Sequence, residues 1–343
     1  MQRIQLGNTV FEGENDVYVF DGETTALIDT GVSLPAVRDE LRSGLSDLGI
    51  SFGDVDEIFL THWHPDHSGL AGEIQAASGA TVRIHGADAP LIDGSQQSLL
   101  EDPAAQRAQF DAWGLPEAPR AELQAFLGNV MEDLRGEPVD TTPLSDGETF
   151  AVNGTQLTAV HLPGHTAGSV AYEFETEEGD PSNRADRTRR REAFVGDIIL
   201  PEYTPNVGGA DTRVEDPLGT YVESLVSILE RDWSRAWPGH RYPIDDPAAR
   251  AATILEHHRR RTQRVVDSLR EEGPADVWTM SARLFGDLEN IHILHGPGEA
   301  AAHLDHLQRA GIVERDDDGE YTLCCESPDV DALFPAPARS SNA

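Results

Sequence analysis

The chain contains no lysine and only two cysteines. Its 26 basic residues are all arginine, they are outnumbered by 61 aspartates and glutamates, and the formal net charge is −35. At about 1 M salt the electrostatic screening length is only about 3 Å, which removes most of the self-repulsion of such a chain. The composition therefore predicts a halophilic protein. The alternative interpretation is an acidic protein from a GC-rich genome in which arginine replaces lysine.

Other features that the sequence lacks bear on the compartment. Cys324 and Cys325 are adjacent, which argues against an ordinary structural disulfide between them. Residues 1–20 contain no apolar run long enough for a signal peptide, and no segment approaches the length of a membrane span. These absences favour a reduced, cytoplasmic protein without a membrane partner. At 343 residues the chain is long enough for one large domain and a small one.

Four metal-type ligands are concentrated in the six residues 62–67. The apolar residues 58–60 predict a buried strand, and residues 70–77 predict a helix, so the ligands lie on a strand-to-helix turn where side chains can converge. Neutral imidazoles and a carboxylate suit Zn, Fe or Mn, and the absence of nearby cysteine argues against a structural zinc clip. The four ligands are His62, His64, Asp66 and His67.

Four further segments each place one such side chain at the end of a strand pattern or in a glycine-containing loop. Each segment alone is a weak signal, because aspartate is common in turns and an isolated histidine is more often structural. Their joint occurrence with the first motif supplies the ligands that a two-metal site requires. The four side chains are Asp29, His165, Asp197 and His240.

This set of motifs, spread over residues 10–245, resembles the metallo-β-lactamase superfamily. The resemblance implies an α+β fold, an αββα sandwich of two sheets with helices outside and metals at one edge. It further implies that Asp29 orients a ligand rather than binding metal itself. The implied ligands are His62, His64 and His165 for the first metal and Asp66, His67 and His240 for the second, with Asp197 bridging the two.

A site of this kind predicts hydrolysis. Two cations that share one hydroxide provide a nucleophile at neutral pH and polarise the oxygen of the electrophile. Asp66 is the predicted catalytic residue, because it can orient that hydroxide and accept its remaining proton. We expect two zinc ions per chain, although the ligand set also suits Fe or Mn.

The C-terminal part of the chain predicts a separate module. We expect a catalytic domain at residues 1–245, one long helix at 246–272, a winged-helix-like module at 273–335 and a disordered tail at 336–343. Within the module we expect helices at 277–285 and 298–310 and a two-stranded wing that turns near residue 318. This order resembles the winged-helix subgroup related to the animal mitochondrial β-lactamase-like endoribonuclease.

The charge of that module argues against nucleic acid as a partner. Residues 273–335 contain 13 acidic residues and three arginines, whereas phosphate contacts need clustered Lys or Arg. A packing or homodimerisation module is the preferred interpretation. His303 and His306 lie one helical turn apart without a third ligand and are predicted to be structural. Residues 257–261 predict a basic helix face that attracts an anionic substrate, or else a solvated ridge.

Three functions stay open from the sequence alone. The first is hydrolysis of a small-molecule thioester or ester, as in the glyoxalase II branch, and we favour it. The second is a single-strand RNA endonuclease, implied by the winged-helix resemblance and opposed by the charge. The third is a persulfide dioxygenase with one iron on a similar scaffold. Substrate contacts are predicted at Asn206 and Gly208, in the loop after Asp197, and at Arg259 on the long helix.

Overall fold

The computed structural model describes residues 1–8, 13–134, 136–178, 188–209 and 211–335. Contacts within the chain group the residues into two units. Unit 1 consists of Met1–Gln97, Val130–Pro205 and Arg231–Arg250, and unit 2 of Ser98–Asn129, Asn206–Glu230 and Ala251–Ala343. The domain boundaries predicted at residues 245, 272 and 335 stay predictions, because grouping by contacts does not test which segments fold or act independently. The predicted disordered tail lies outside the described residues.

Six strands form the first sheet of unit 1. The outer strands β1 to β3 are antiparallel neighbours, whereas β3 to β6 run parallel to one another. The carboxyl ends of β3, β4 and β5 therefore lie at the same edge of the sheet. In spatial order the strands are β1 (Gln2–Gln5), β2 (Asp16–Phe20), β3 (Ala26–Ile28), β4 (Glu57–Phe59), β5 (Thr81–His85) and β6 (Thr141–Leu144).

Helices cover one face of this sheet because parallel strands need crossover connections, which helices supply. The buried residues of the first helix, Val37, Leu41 and Leu45, recur every four positions and so face one side. They belong to one apolar cluster with strand residues such as Ile58 and Val82. The helices of unit 1 are α1 (Pro35–Asp47), α2 (Pro65–Ser68), α3 (Ala71–Ser78) and α4 (Ala89–Ile92), with a short 3-10 turn at Phe52–Asp54.

Five strands form the second sheet of unit 1. Neighbouring strands are antiparallel except for the parallel pair β10 and β11. Asn153 and Gly154, both at positive φ, make the two-residue turn between β7 and β8. In spatial order the strands are β11 (Trp233–Pro238), β10 (Thr188–Gly196), β9 (Val170–Glu178), β8 (Thr155–His161) and β7 (Thr149–Val152).

An aromatic core lies between the two sheets and also holds strand ends in place. The rings of Tyr18 and Phe194, one from each sheet, are 4.9 Å apart between centroids. The Tyr18 hydroxyl donates a 2.6 Å hydrogen bond to the Pro238 carbonyl, and the Tyr172 hydroxyl donates a 2.7 Å bond to the Leu60 carbonyl. Buried tyrosine hydroxyls need such partners. Each bond fixes backbone within two residues of a predicted metal ligand.

Unit 2 contains mainly helices and one small hairpin. The long helix predicted at 246–272 is confirmed as α8, and the predicted wing is confirmed as the antiparallel pair of β12 and β13. The winged-helix assignment itself stays a prediction. The remaining elements are α5 (Pro103–Ala112), α6 (Glu117–Leu134), α7 (Pro217–Glu230), α8 (Pro247–Glu272), α9 (Val277–Phe285), α10 (His292–Arg309), β12 (Val313–Arg315), β13 (Tyr321–Leu323) and a 3-10 turn at Asp331–Leu333.

The start predicted for the second helix of the module was wrong. Helix α10 begins at His292 rather than at residue 298, and it contains Pro297. The Gly-Pro-Gly run around Pro297 suggested a helix break. Its glycines instead permit close packing, because a Cβ on Gly296 would lie 2.9 Å from the Ser281 hydroxyl and 2.3 Å from the Leu288 side chain. Tertiary packing here outweighs local propensity.

The sequence predicts no membrane-spanning segment, and the helices bear on this prediction. Among the residues that the structure describes, no helix combines the length and the apolar character that crossing a membrane requires.

Close packing at Gly72 on α3 generates a stability prediction. A Cβ at Gly72 would lie 2.2 Å from the backbone carbonyl oxygen of Glu137, which cannot move as a flexible side chain can. We expect Gly72→Ala to lower the free energy of unfolding by about 1–3 kcal/mol. The matched control is Gly53→Ala in the same unit, where the nearest atoms are 3.6 Å away. Urea unfolding in molar KCl measures both, and equal midpoints would contradict the packing argument.

Candidate metal centre

The predicted ligands come from strand ends of both sheets. His62 and His64 follow β4, on the turn that enters α2, where Pro65 occupies the first helical position. The other predicted ligands follow in chain order on α2, in the loop between β8 and β9, and directly after β10 and β11. They are Asp66 and His67, His165, Asp197 and His240. The structure brings all seven side chains together within unit 1.

Three imidazoles form the first group of ligand atoms. The Nε2 atoms of His62 and His165 each lie 3.0 Å from Nδ1 of His64. These three residues could hold one metal ion, since their ligand atoms all lie within 4.8 Å of one another. All-imidazole coordination is a set that zinc uses in catalytic sites, where a further position stays open.

A second group contains both carboxylates. Nε2 of His240 lies 3.4 Å from Asp66 Oδ2 and 3.3 Å from Asp197 Oδ2, and Nε2 of His67 lies 3.3 Å from Asp197 Oδ1. Asp197 also approaches the first group, with 3.9 Å between its Oδ2 and Nε2 of His165. The geometry thus places Asp197 between the two groups of ligands.

Unsatisfied polar atoms test whether a cation fits this second group. His67 Nε2, Asp197 Oδ1 and His240 Nε2 are buried and have no hydrogen-bond partner among the described residues. Buried polar atoms in native proteins are almost always paired, because each unpaired one is costly. These three atoms face one another and belong to residue types that bind transition metals. The residues present therefore fit a divalent metal ion.

The histidines of the two groups differ in protonation. Burial lowers the pKa of His62 well below its ordinary value and that of His64 to about 3, so both offer lone pairs at neutral pH. Burial also acts to lower the pKa values of His67 and His240, but nearby Asp197 and Asp66 outweigh it. The pKa of His67 is raised well above its ordinary value, and that of His240 rises to about 10.

Residues behind the ligands fix their orientation. Asp29 accepts a 2.9 Å hydrogen bond from Nδ1 of His67, which leaves Nε2 of that ring directed at the metal centre. The same carboxylate accepts 2.8 Å bonds from both the backbone N–H and the hydroxyl of Thr61. Nδ1 of His240 donates in the same way to the Gly13 carbonyl, at 2.7 Å. Both rings are therefore held through Nδ1, which leaves Nε2 facing the carboxylates of Asp66 and Asp197.

Asp88 is a supporting residue that the sequence analysis missed. It is completely buried, and its Oδ2 accepts a 3.2 Å bond from the Trp63 backbone N–H and a 2.8 Å bond from the Thr166 hydroxyl. It thereby ties the loop of His62 and His64 to the loop of His165. One signal could have identified it, since Asp88 follows the parallel strand β5 at the same sheet edge as the other acids.

The predicted substrate contacts all lie in unit 2. Asn206 donates to the His295 carbonyl at 3.2 Å, and a Cβ on Gly208 would lie 2.8 Å from the Gly298 carbonyl oxygen, so both residues pack against α10. Arg259 forms ion pairs with Glu256 and Asp331. Their role in substrate binding stays a prediction.

Residues 257–261 were predicted to form either a basic face for an anionic substrate or a solvated ridge, and their ion pairs favour the ridge. His258 is completely buried, and the charges of the arginines are compensated locally. Arg259 and Arg260 both pair with Glu256, and Arg261 pairs with Glu299. Glu256 on α8 and Glu299 on α10 therefore offset the charges of Arg259, Arg260 and Arg261.

The fold and the grouped side chains resemble those of known proteins. A two-sheet fold with histidine and aspartate side chains gathered at its strand ends is typical of the metallo-β-lactamase fold. Residues 10–177 match the model of the metallo-β-lactamase superfamily, so this part of the chain is a metallo-β-lactamase-like domain. The predicted superfamily and fold class are confirmed. The winged-helix subgroup stays a prediction.

Two solved structures show the same fold over nearly the whole chain. A metallo-β-lactamase family protein from Thermus thermophilus has a TM-score of 0.76 and 27% sequence identity, covering 94% of this chain and 98% of that chain. A β-lactamase domain protein from Burkholderia ambifaria has a TM-score of 0.72 and 22% identity, covering 93% and 91%. At 22% identity, the similarity to the second protein supports a shared fold but not a shared function.

Two curated relatives are of similar identity to this chain but are longer. The lactamase-like protein aptB of Emericella nidulans is 26% identical over 265 residues, which cover 77% of this chain and 62% of that protein. An atrochrysone carboxyl ACP thioesterase of the same organism is 25% identical over 264 residues, covering 77% and 63%. The chain thus spans less than two thirds of the length of these two relatives.

The raised pKa values of His67 and His240 generate a prediction about metal binding. Both imidazoles hold protons at neutral pH in the metal-free chain, and a metal ion must displace them. We expect Zn²⁺ binding to release protons and the apparent affinity to fall as the pH is lowered. Isothermal titration calorimetry in buffers with different ionisation enthalpies counts the protons released. A binding enthalpy that does not change with the buffer would contradict the expectation.

The contact between Asp29 and His67 generates a second prediction. Asp29→Asn keeps an oxygen acceptor for Thr61 but turns an amide N–H toward Nδ1 of His67. Nδ1 can then no longer donate, and the ring proton moves to Nε2, the nitrogen that would bind metal. We expect metal affinity to fall by about 10–100-fold, as for other partners of metal-bound histidine. The control is Asp39→Asn, at an exposed position on α1. Equilibrium dialysis with metal analysis by mass spectrometry measures both variants, and equal affinities would refute the orienting role.

Proposed function

We propose that this chain hydrolyses small-molecule thioesters at a centre of two metal ions, with zinc as the preferred metal. The observation that carries the proposal is the pair of ligand groups that meet at Asp197. In this assignment the first group is His62, His64 and His165, the second is Asp66, His67 and His240, and Asp197 bridges them. Metal ions held there would supply a nucleophile at neutral pH and polarise the substrate carbonyl.

Asp66 is the proposed catalytic residue. Burial acts to raise its pKa, but His67 and His240 outweigh this effect and lower the pKa to about 2. The side chain is then a carboxylate that only accepts hydrogen bonds at neutral pH. Its Oδ2 receives a long 3.4 Å contact from the Asn15 amide, which helps to hold its orientation. Asp66 can therefore orient a nucleophilic water by accepting one of its protons in a hydrogen bond.

The substrate class rests on a likeness and on charge. A relative at 25% identity is a thioesterase that acts on an acyl carrier protein, which supports a thioester over other electrophiles. The pairing of Arg259, Arg260 and Arg261 with acids argues against a phosphate-binding face on α8. The nuclease alternative thereby loses its best candidate cations, and a CoA thioester loses the phosphate contact expected there. The likeness thus supports a thioester bond as the target and does not select the thiol that carries the acyl group.

A thioesterase assay with two ligand variants tests the proposal. We expect Asp66→Ala and His165→Ala to lower hydrolysis by at least about 10²–10⁴-fold while leaving the circular dichroism spectrum unchanged. Asp39→Ala is the control and should retain full activity. The loss of ultraviolet absorbance of the thioester bond is the appropriate readout, because the exposed thiols of Cys324 and Cys325 would react with a thiol reagent.

Metal analysis on the same protein, purified in molar KCl, separates the alternatives. Two zinc ions bound at the proposed centre, together with hydrolysis of the thioester, would support the proposal. Two zinc ions there without hydrolysis would redirect the search to RNA substrates. A single iron at that centre would favour the persulfide dioxygenase. Full activity in either ligand variant would refute the mechanism.

A further inference from the structure

A second cluster of metal-type side chains lies in unit 2, apart from the seven residues of the proposed catalytic centre. His258 on α8 meets Glu299 and His303 on α10, and one ligand atom from each residue lies within 4.8 Å of the others. Both histidines are completely buried. Glu299 and His303 are four positions apart, so they lie on the same face of α10. The cluster therefore joins two long helices at a water-poor point.

The distance between the two imidazoles fits shared coordination better than a hydrogen bond. Nδ1 of His258 and Nε2 of His303 are 3.4 Å apart. Good hydrogen bonds from N–H groups fall at about 2.7–3.2 Å, so this contact is long. Two nitrogens each about 2.1 Å from a tetrahedral metal ion are about 3.4 Å from one another. The observed separation is thus the one that a shared zinc-like ion requires.

Thr262 orients one of these rings. Its hydroxyl lies 2.7 Å from Nδ1 of His303. When Nδ1 carries the proton and donates to that hydroxyl, Nε2 keeps its lone pair and faces His258. A hydrogen bond to the distant ring nitrogen is the usual support of a metal-bound histidine. Thr262 lies four positions after His258 on α8, so one helix supplies both a ligand and a supporting residue.

The charge around the cluster selects the kind of cation. Burial lowers the pKa values of His258 and His303 well below their ordinary value, so both rings are neutral at pH 7. Arg261 pairs with Oε1 of Glu299 and offsets the charge of the carboxylate. The cluster therefore has little net negative charge to attract Ca²⁺ or Mg²⁺. Binding must come from imidazole nitrogens, which favours zinc and its neighbours among the divalent transition metals.

We propose that His258, Glu299 and His303 hold a divalent transition metal ion, zinc in the first instance, that fastens α8 to α10. The burial of both histidines and the small exposure of the Glu299 side chain, 13%, favour a structural ion that exchanges slowly. This site does not depend on the proposed thioesterase activity. The site uses His303 but not His306, whose Nδ1 lies 3.6 Å from Asp216 Oδ1.

Zinc counting on the full chain tests the proposal. Apo protein, prepared with a chelator in molar KCl, is saturated with Zn²⁺, and the bound metal is measured by mass spectrometry. We expect His258→Gln and His303→Gln each to bind one equivalent fewer than the unmodified chain. His292→Gln on the same helix α10, outside the cluster, should bind the same number as the unmodified chain. Equal zinc content in all four proteins would overturn the proposal.

A measurement on the unmodified chain covers the case in which a variant fails to fold. Protein labelled with ¹⁵N at histidine reports ligation at each ring nitrogen by NMR. We expect Nδ1 of His258 and Nε2 of His303 to shift when Zn²⁺ is added to the apo protein. Unchanged resonances for both nitrogens at zinc saturation would show that the two rings form a buried polar pair without a metal.

Discussion

Three carboxylates are buried at one edge of the first unit, and their need for compensating charge constrains the residues around them. Asp29, Asp66 and Asp197 are at most 5% exposed. An uncompensated buried carboxylate costs on the order of several kcal/mol. Threonine and histidine donors satisfy Asp29, whereas the other two acids face imidazole nitrogens that find no further partner among the described residues. The fold thereby creates an electrostatic demand that protonated His67 and His240 meet in the metal-free chain and that a metal ion would meet in their place.

The two-sheet architecture explains how residues so far apart in sequence reach one point. Parallel strands of the first sheet end at a common edge, and β10 and β11, the parallel pair of the second sheet, deliver Asp197 and His240 to the same place. Gly239 lets these parts approach closely, since a Cβ there would lie 2.4 Å from the His67 ring. The ligands are thus fixed by strand ends and small residues rather than by a flexible loop.

Sequence reasoning succeeded where the chemistry was local. Four metal-type side chains within residues 62–67 form a local motif whose members the structure brings together, and Asn153–Gly154 specifies its own hairpin turn through backbone conformations that few residues tolerate. Contacts between remote segments carried no such signal. Asp88 acts on Thr166, 78 positions away, and His258 meets His303, 45 positions away. The start of α10 was misjudged for the same reason, because packing against α9 accommodates a Gly-Pro-Gly run that local rules treat as a break.

The tyrosine hydroxyls of the aromatic core have a consequence for comparing this chain with its relatives. Tyr18 and Tyr172 bind no ligand, yet they hold the backbone at Pro238 and Leu60, two residues before His240 and His62. A relative with phenylalanine at either position would keep every ligand and lose one of these anchors. Two proteins with identical ligand sets can therefore differ in how rigidly the backbone next to those ligands is held. That difference arises from residues of the hydrophobic core.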